Sequence, residues 1–246
     1  MSAVSLCHLY PAEMNIYADR GNIAVLRSRL AWRGHELEIT EAGVGDRVDP
    51  AAHDMYYLGG GQDRDQAVVA RDLAAVKGDA LRAAAADGAV VLAVCGGFQL
   101  AGHGYTALDG SRMPGIGLLD LDTVAAATRL IGNLVIESDL GGAPRAVVGF
   151  ENHAGRTTLG PGAEPLGRVV HGHGNNGSDG AEGAVRDRVV GTYLHGPLLP
   201  KNPWLADLLL AWALEHRTGE ATELAPLDDD LEESAREVAV RRARRG

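Results

Sequence analysis

Cys95 stands at the end of an uninterrupted apolar run, residues 89–94, and two glycines, Gly96 and Gly97, follow it. A strand that is buried on both faces of a parallel sheet requires such a run. A sharp strand-to-helix turn that presents a nucleophile leaves space only for small neighbours, which here are Ala93 and Gly97. The pattern predicts a reactive thiol at a helix N-terminus, where the helix dipole favours the thiolate. A small buried core cysteine is the alternative, but a core strand has no use for the two glycines.

His195 is the best candidate for the base that a thiol nucleophile needs. Residues 189–194 have the composition of a strand, and His195 stands where that strand ends abruptly, so it offers a second polar group at a strand end. A solvated or hydrogen-bonded histidine without a chemical role is the alternative. His171 and His173 lie in a His-Gly-His-Gly run, but no third ligand stands at a helical or hairpin spacing. We therefore expect no metal site.

Composition narrows the class of partner. The chain has 246 residues, of which 46% are apolar, enough to bury a sizeable core in one large domain. A net charge of -10 repels phosphate backbones and anionic lipid headgroups, so nucleic acid and membrane surfaces are poor candidates. Cys7 and Cys95 offer neither a disulfide framework nor metal-ligand spacing. No apolar run approaches the ~20 residues of a membrane span, so we expect a cytoplasmic protein with reduced thiols and no export signal or anchor.

The first hundred residues alternate between predicted strands and helices. Strands are expected over residues 5–10, 35–40, 54–58 and 89–94, and helices over 23–30 and 65–86. This rhythm is typical of an α/β fold with a mostly parallel central sheet flanked by helices.

The second half of the chain has a different pattern. Residues 118–192 contain short β segments with frequent glycine, which indicates a mixed or antiparallel part of the same domain. Helical periodicity returns at residues 204–216. Beyond Gly219 the chain becomes acidic and then basic. We therefore assign residues 1–218 to one domain and residues 219–246 to a charged C-terminal tail that forms a solvated or frayed helix.

Three segments of the chain resemble one enzyme family. Cys95 begins Cys-Gly-Gly-Phe-Gln, His195 lies in Gly-Thr-Tyr-Leu-His-Gly, and residues 149–155 read Gly-Phe-Glu-Asn-His-Ala-Gly. Together they resemble the class I glutamine amidotransferases of the cobyric acid synthase (CobB/CobQ-like) type. The resemblance implies a flavodoxin-like central sheet and an enzyme that hydrolyses L-glutamine. Cys95 would attack the side-chain amide, His195 would carry the proton to the departing ammonia, and water would hydrolyse the γ-glutamyl thioester.

The same resemblance implies roles for four further residues. The backbone N–H groups of Gly60 and Gly96 would stabilise the tetrahedral oxyanion if their two turns meet at the sheet edge. Gln99 would belong to the substrate pocket, and Arg129 would hold the α-carboxylate of glutamine, a task that suits a guanidinium. From the residues alone, the glycines around Gly60 are equally compatible with an ordinary strand-to-helix turn, and Arg129 with a surface strand position.

Three other segments resemble one branch of this family. Residues 14–22, 174–177 and 197–203 are similar to the glutaminase subunits of the lipid II isoglutaminyl synthases. That likeness implies a heterodimer with a Mur-ligase-like, ATP-using subunit (MurT), which amidates the α-carboxyl group of D-glutamate in the lipid II stem peptide. The chain contains no GxxxxGK[ST] loop. We therefore expect no cofactor in this chain and assign the use of ATP to the partner.

One position departs from the family pattern. Many class I amidotransferases have a glutamate two residues after the histidine, and this chain has Pro197 there. The likeness to the lipid II branch implies that an acid from the partner completes the triad, so we expect weak activity from the isolated chain. Amidation of a corrinoid is the alternative within the enzyme class. A catalytically inactive, amidotransferase-like binding module is the alternative outside it.

Overall fold

Two six-stranded sheets form the framework, and one hydrophobic core joins them. The computed structural model describes residues 2–15 and 20–243. The strands are β1 (Ala3–Leu9), β2 (Glu36–Ala42), β3 (Met55–Leu58), β4 (Val90–Val94), β5 (Gly104–Thr106), β6 (Arg112–Pro114), β7 (Leu121–Ser138), β8 (Arg145–Leu159), β9 (Gly167–His171), β10 (Ala181–Glu182), β11 (Ala184–Arg186) and β12 (Val189–Thr192). The helices are α1 (Arg20–Ala31), α2 (Asp63–Asp72), α3 (Gly78–Ala86), α4 (Gly96–Ala101), α5 (Pro203–Thr218) and α6 (Asp230–Ala243).

The first sheet has the strand order β11-β12-β4-β3-β1-β2, and all its pairs are parallel except β11 with β12. Strands β3 and β4 are buried along their whole length, as their continuous apolar composition requires. Leu58 pairs with Ala93, and Thr192 pairs with Val94. Because neighbouring parallel strands end at the same edge, the turns that follow β3, β4 and β12 lie side by side. The predicted parallel α/β sheet is confirmed.

The alanine-rich helix expected over residues 65–86 is interrupted by a π-helical turn at Leu73–Lys77. The Lys77 side chain is fully buried, and its ammonium group lies 2.5 Å from the Asp72 carboxylate and 4.6 Å from the centre of the Tyr10 ring. A buried cation requires such partners. The widened turn brings the ammonium to them, and local helix propensity carries no information about this requirement.

The second sheet corrects the expectation of short β segments. Strands β7 and β8 are 18 and 15 residues long and pair antiparallel, with a register shift between Ala125 and Leu130. Two of the glycines that suggested short segments instead mark close approaches. A Cβ atom at Gly155 would lie 2.5 Å from Nε2 of Gln99, and one at Gly149 would lie 2.8 Å from the Leu194 side chain. Strands β9, β10, β5 and β6 complete this sheet.

The charged tail forms α6 after an irregular segment, and one of its faces is packed. Ala243 is buried against Val135 and Val148 of the second sheet. The Arg236 guanidinium donates a hydrogen bond to the carbonyl of Ala146. The expected solvated helix is therefore solvated on its charged side only. Within the part of the chain that the structure describes, no helix is both long and apolar enough to cross a membrane.

Candidate active site

Cys95 lies in a strained turn between β4 and α4. Its backbone has φ 55° and ψ -109°, a combination that costs a residue other than glycine roughly 1–3 kcal/mol. Its N–H donates to the carbonyl of Thr192 at 2.8 Å, and the N–H of Gln99 donates to its carbonyl at 3.1 Å. A Cβ atom at Gly97 would lie 2.8 Å from the Gly59 carbonyl oxygen and closer still to that of Leu58. The small residue that the sequence pattern required is therefore explained by backbone on the neighbouring strand.

The turn after β3 meets the Cys95 turn directly. The N–H of Gly97 donates to the carbonyl of Gly59 at 3.0 Å. Gly61 and Gly96 line the same cleft as Cys95, and Gly60 lies between the Gly59 carbonyl and Gly61 in the turn. The two turns that were expected to supply oxyanion donors therefore lie against each other at the sheet edge.

His195 follows β12, the strand beside β4, so it lies after the strand end next to that of Cys95. Its backbone exchanges two hydrogen bonds with Phe150 of β8, at 3.0 and 3.1 Å. The His195 side chain is 1% exposed. Burial, followed by electrostatic interactions with the nearby His153, Arg129 and Lys201, lowers the pKa of His195 to about 4. The imidazole is therefore neutral at pH 7, which is the form that accepts a proton.

Arg129 lies in the irregular part of β7 and lines the cleft together with Cys95. Its Nε donates to Oδ1 of Asn152 at 2.7 Å, and its Nη2 donates to the carbonyl of Asn152 at 2.7 Å. These two bonds fix the plane of the guanidinium in the cleft that Cys95 also lines. The structure thus brings Arg129 to the site despite a separation of many residues along the chain.

Gln99 is buried behind the cleft, where its amide group belongs to a network of side chains. Its Oε1 accepts a hydrogen bond from Gln66 at 2.7 Å, and its Nε2 donates to the Tyr193 hydroxyl at 3.1 Å. That hydroxyl also contacts the hydroxyl of Thr157 at 2.7 Å. Burial is the main reason that the pKa of Tyr193 is raised above its ordinary value. Sequence reasoning identified Gln99 but missed the other three residues.

A second histidine, His153, lines the cleft beside a buried acid, Glu151; both belong to the family-like segment 149–155, but neither was predicted to have a role in the site. The His153 ring stacks on the Tyr193 ring with 3.5 Å between centroids and 6° between planes. Its Nδ1 lies 2.9 Å from the Gly155 carbonyl, and its Nε2 lies 3.6 Å from Oε2 of Glu151. Glu151 also accepts backbone N–H groups of His173 and Gly174. The sequence signals were their place in the family-like segment 149–155 and the alternation of Glu151, His153 and Gly155 along β8, which puts them on one face.

Glu182 of β10 is a second buried acid near the site. It accepts hydrogen bonds from the Thr192 hydroxyl at 2.7 Å and from the N–H of Tyr193 at 2.8 Å. Burial raises the pKa of Glu182 to about 7. Nearby, His171 ends β9, and His173 lies in the loop that follows, where its backbone N–H binds Glu151. Across residues 2–15 and 20–243, no group of three or more His, Cys, Asp or Glu side chains is arranged to hold a metal ion.

Comparison with known proteins identifies the family. The sequence model of the CobB/CobQ-like glutamine amidotransferase domain matches residues 5–203. That span includes both Cys95 and His195. The chain belongs to the CobB/CobQ-like glutamine amidotransferases. The family expected from the sequence motifs is therefore confirmed, and this glutamine amidotransferase is an enzyme of that class.

Two relatives match this amidotransferase over almost its whole length. It is 39% identical over 245 residues to the GatD subunit of the lipid II isoglutaminyl synthase (glutamine-hydrolysing) of Staphylococcus aureus, covering 100% of this chain and 98% of the relative. It is 37% identical over 235 residues to the GatD subunit of Streptococcus pneumoniae, covering 95% and 89%. The cobyric acid synthase of Pelotomaculum thermopropionicum is 37% identical over 153 residues, but covers only 56% of this chain and 28% of the relative. The amidotransferase therefore belongs to the GatD branch.

Solved structures support the fold of the amidotransferase. PurLQS from Thermotoga maritima superposes with a TM-score of 0.56 at 17% identity, over 88% of this chain and 98% of that chain. The glutaminase domain of Trypanosoma brucei CTPS superposes with a TM-score of 0.50 at 10% identity, over 90% and 96%. The expected class I glutamine amidotransferase fold is confirmed.

Proposed function

We propose that this amidotransferase hydrolyses L-glutamine at Cys95 and supplies the ammonia to an ATP-dependent partner that amidates the D-glutamate of lipid II in peptidoglycan synthesis. The observation that carries the hydrolysis is that Cys95 and His195 follow the neighbouring strands β4 and β12, with the Cys95 N–H 2.8 Å from the Thr192 carbonyl. The lipid II acceptor is supported by the near full-length likeness to two subunits named for that synthase. The cobyric acid synthases match a much smaller share, which favours lipid II over a corrinoid.

In the proposed reaction, the Cys95 sulfur attacks the side-chain amide carbon of glutamine while neutral His195 accepts the thiol proton. The negative charge that develops on the amide oxygen receives hydrogen bonds from the N–H groups of Gly60 and Gly96. The carbon–nitrogen bond then breaks as His195 returns the proton to the leaving nitrogen, which departs as ammonia. A water molecule, deprotonated by His195, hydrolyses the γ-glutamyl thioester to glutamate and the free thiol.

The substrate is held, in this proposal, from two sides of the cleft. The Arg129 guanidinium binds the α-carboxylate, supported by its rigid attachment to Asn152 at 2.7 Å. Gln99 supports the pocket from behind, since its amide is engaged by Gln66 and Tyr193. Binding energy far from the reacting carbon is what positions the amide for attack.

The partner is proposed to be a Mur-ligase-like subunit of the MurT type, in a heterodimer with this chain. Two relatives are named as subunits, which supports an assembly. The sequence lacks a phosphate-binding GxxxxGK[ST] loop, so the ATP step is assigned to the partner and no cofactor to this chain. Pro197 stands two residues after His195, so the acid that orients the imidazole is assigned to the partner as well. A cytoplasmic location is supported by cysteines that form no disulfide.

The test begins with glutamate and ammonia release by the full-length chain, alone and after addition of a co-purified Mur-ligase-like protein. We expect Cys95→Ala and His195→Ala to abolish hydrolysis. Cys7→Ala is the matched control, because Cys7 is buried in β1 and its thiol pKa is raised by burial to about 12. That variant should keep wild-type turnover. Mass spectrometry of lipid II should show amidation only when chain, partner, glutamine and ATP are all present.

Three outcomes would contradict the proposal at different points. Hydrolysis that survives Cys95→Ala removes the thioester route. A wild-type chain that never releases ammonia, with or without the partner, favours the inactive binding module. A chain that releases ammonia as fast alone as in the complex removes the need for an acid from the partner.

A further inference from the structure

Two sequence segments that the proposed reaction does not use meet at the loop that follows His195. Residues 14–22 and 197–203 are far apart along the chain, and residues 16–19 of the first segment lie outside the described residues. At the start of α1, Oδ1 of Asn22 accepts a hydrogen bond from the N–H of Leu199 at 2.8 Å. This bond joins residues separated by 177 positions. The Asn22 side chain of the first segment therefore binds the backbone of the second segment.

Asn22 is 0% exposed and also reaches the first sheet. Its Nδ2 donates to the hydroxyl of Tyr57 at 3.1 Å. Tyr57 lies in β3, two residues before the turn that begins at Gly59. The neighbouring Gly21 packs so closely that an added Cβ would lie 2.8 Å from the Pro197 ring. The loop after His195 is therefore pressed against α1 and tied to the strand that precedes the oxyanion turn.

Asn202 holds the same loop from its other end and is also 0% exposed. Its Nδ2 donates to the carbonyls of Leu198 and Val148, both at 2.8 Å, and its Oδ1 accepts the N–H of Val148 at 2.9 Å. Val148 lies in β8, two residues before Phe150, whose backbone pairs with His195 at 3.0 and 3.1 Å. The loop that carries His195 is thus fixed at its start by Phe150 and at its end by Asn202.

We propose that Asn22 and Asn202 are positioning residues that hold the imidazole of His195 in register with Cys95. This inference rests on the proposed function. The position two residues after the histidine is Pro197, which has no carboxylate, so without the partner's acid the base depends on contacts that fix the loop around it. Gly196, with φ 87°, gives the backbone freedom at the next residue, and the two asparagines remove that freedom. A displacement of about 1 Å at a reacting group lowers rates about 100-fold.

The two asparagines predict opposite responses to the same substitution. In Asn22→Asp a carboxylate oxygen still accepts the Leu199 N–H, the bond that ties α1 to the loop after His195. In Asn202→Asp the donated bonds are lost, and a carboxylate faces the carbonyl oxygens of Val148 and Leu198. The aspartate should therefore rescue function at position 22 and fail to do so at position 202.

The experiment measures alkylation of Cys95 by iodoacetamide in the full-length chain, together with glutamine turnover and Tm. At pH 7 the reaction needs His195 as base, so His195→Ala sets the lower limit and Cys95→Ala the background. Asn22→Ala and Asn202→Ala should slow alkylation about 10-fold or more at pH 7. At about pH 9.5, above the ordinary thiol pKa of about 8.5, the difference from wild type should largely disappear. Asn22→Asp should recover most of the rate at pH 7.

Asn175→Ala is the matched control. Asn175 is also 0% exposed and makes two hydrogen bonds to the backbone of Gly183, at 2.8 and 2.9 Å, in a loop that does not carry His195. It should lower Tm by a similar amount and leave alkylation at pH 7 unchanged. Gly21→Ala perturbs the same loop through packing and removes no hydrogen bond. It should slow alkylation by displacing Pro197, although alanine is the better helix former.

The inference is overturned if Asn22→Ala, Asn202→Ala and Gly21→Ala alkylate like Asn175→Ala at pH 7. It is also overturned if alkylation slows equally at both pH values, because that result reports access to the thiol and not the base. Failure of the proposed function has a different signature. In that case His195→Ala itself would alkylate at the wild-type rate.

Discussion

The edge of the first sheet and the β7–β8 hairpin both line the cleft, but they are held in different ways. Around Cys95 the fixed contacts are backbone to backbone, such as the Gly97 N–H to the Gly59 carbonyl at 3.0 Å. Along the hairpin they are made by side chains, such as Arg129 to Asn152 and Thr157 to Tyr193. Backbone contacts at a sheet edge have no room to adjust, whereas side-chain contacts are able to shift by rotamer changes. The site therefore combines a rigid edge with an adjustable wall.

The largest effect is expected from a methyl group at the rigid edge. Gly97→Ala directs a Cβ atom at the carbonyls of Leu58 and Gly59, which cannot move without displacing the Cys95 turn. Glutaminase activity should fall about 100-fold or more, and stability by about 1–3 kcal/mol. Gly132→Ala in β7 is the control, because a Cβ there meets no atom within 4 Å. Equal activity of the two variants would show that the edge is as adjustable as the hairpin.

The second effect concerns a buried acid that joins the rigid edge to the second sheet. Glu182 lies in the second sheet and binds Thr192 and Tyr193 at the end of β12. Its folded pKa of about 7 lies above the ordinary 4.5, so the stability it contributes is present below about pH 4.5 and is lost as pH rises through 7. A pKa difference of this size corresponds to about 3 kcal/mol.

Glu182→Gln should therefore unfold at higher urea concentration than wild type at pH 8, and the advantage should vanish near pH 4.5. Urea unfolding at the two pH values measures it. Glu137→Gln, on an exposed part of β7, should show no such dependence. If the urea midpoints of Glu182→Gln and wild type differed by the same amount at both pH values, folding would not raise the pKa of Glu182.

A smaller effect is expected from a methyl group on the adjustable wall. A Cβ at Gly155 would meet Nε2 of Gln99 at 2.5 Å and the Tyr193 hydroxyl at 2.8 Å. Both atoms are ends of side chains, so they are able to shift at a cost of about 1–2 kcal/mol. Gly155→Ala should lower kcat/KM for glutamine about 10-fold. If steady-state kinetics gave a loss as large as that of Gly97→Ala, the wall would be as rigid as the edge.

The smallest expected effect is a shift in the acid limb of the pH profile, that is, in the pH at which kcat/KM falls on the acidic side. Because the pKa of His195 is lowered to about 4, the neutral base persists well below pH 6, and kcat/KM should decline only as pH approaches 4. Lys201 is one of the positive charges that lower this pKa. Lys201→Ala should therefore move the limb to higher pH, as measured by kcat/KM across pH 4–8. Arg168→Ala, on the exposed face of β9, should leave it in place.

The rigid edge is also the region that the sequence predicts well. The apolar strand before Cys95, the glycines after it and the strand end at His195 are local patterns, and parallel strands bring their ends together. The branch segments led to Asn22 and Asn202 without assigning them a role. The motif resemblance, not the spacing, placed Arg129 at the site.

The side-chain contacts of the adjustable wall were not predicted, for a physical reason. The contacts of Gln99 join it to Gln66 and Tyr193, which lie 33 and 94 residues away, and no local pattern encodes such pairs. The glycines of β8 suggested turns because the sequence alone does not distinguish a glycine in a turn from a glycine that packs closely against another segment. The π turn at Leu73–Lys77 was missed because it serves a buried charge and not helix propensity.

Near the end of α1, a buried arginine shows which residues the folded core requires. Arg29 is 2% exposed, and its guanidinium is shared between Asp207 and Asp229, each 2.6 Å away. The family match ends at residue 203, before both carboxylates. The domain shared with the wider CobB/CobQ-like family thus ends at one boundary, and charge balance of the interior requires another, further along the chain. A gene shortened to the boundary of that domain would encode a core with a buried cation and without these two counter-ions.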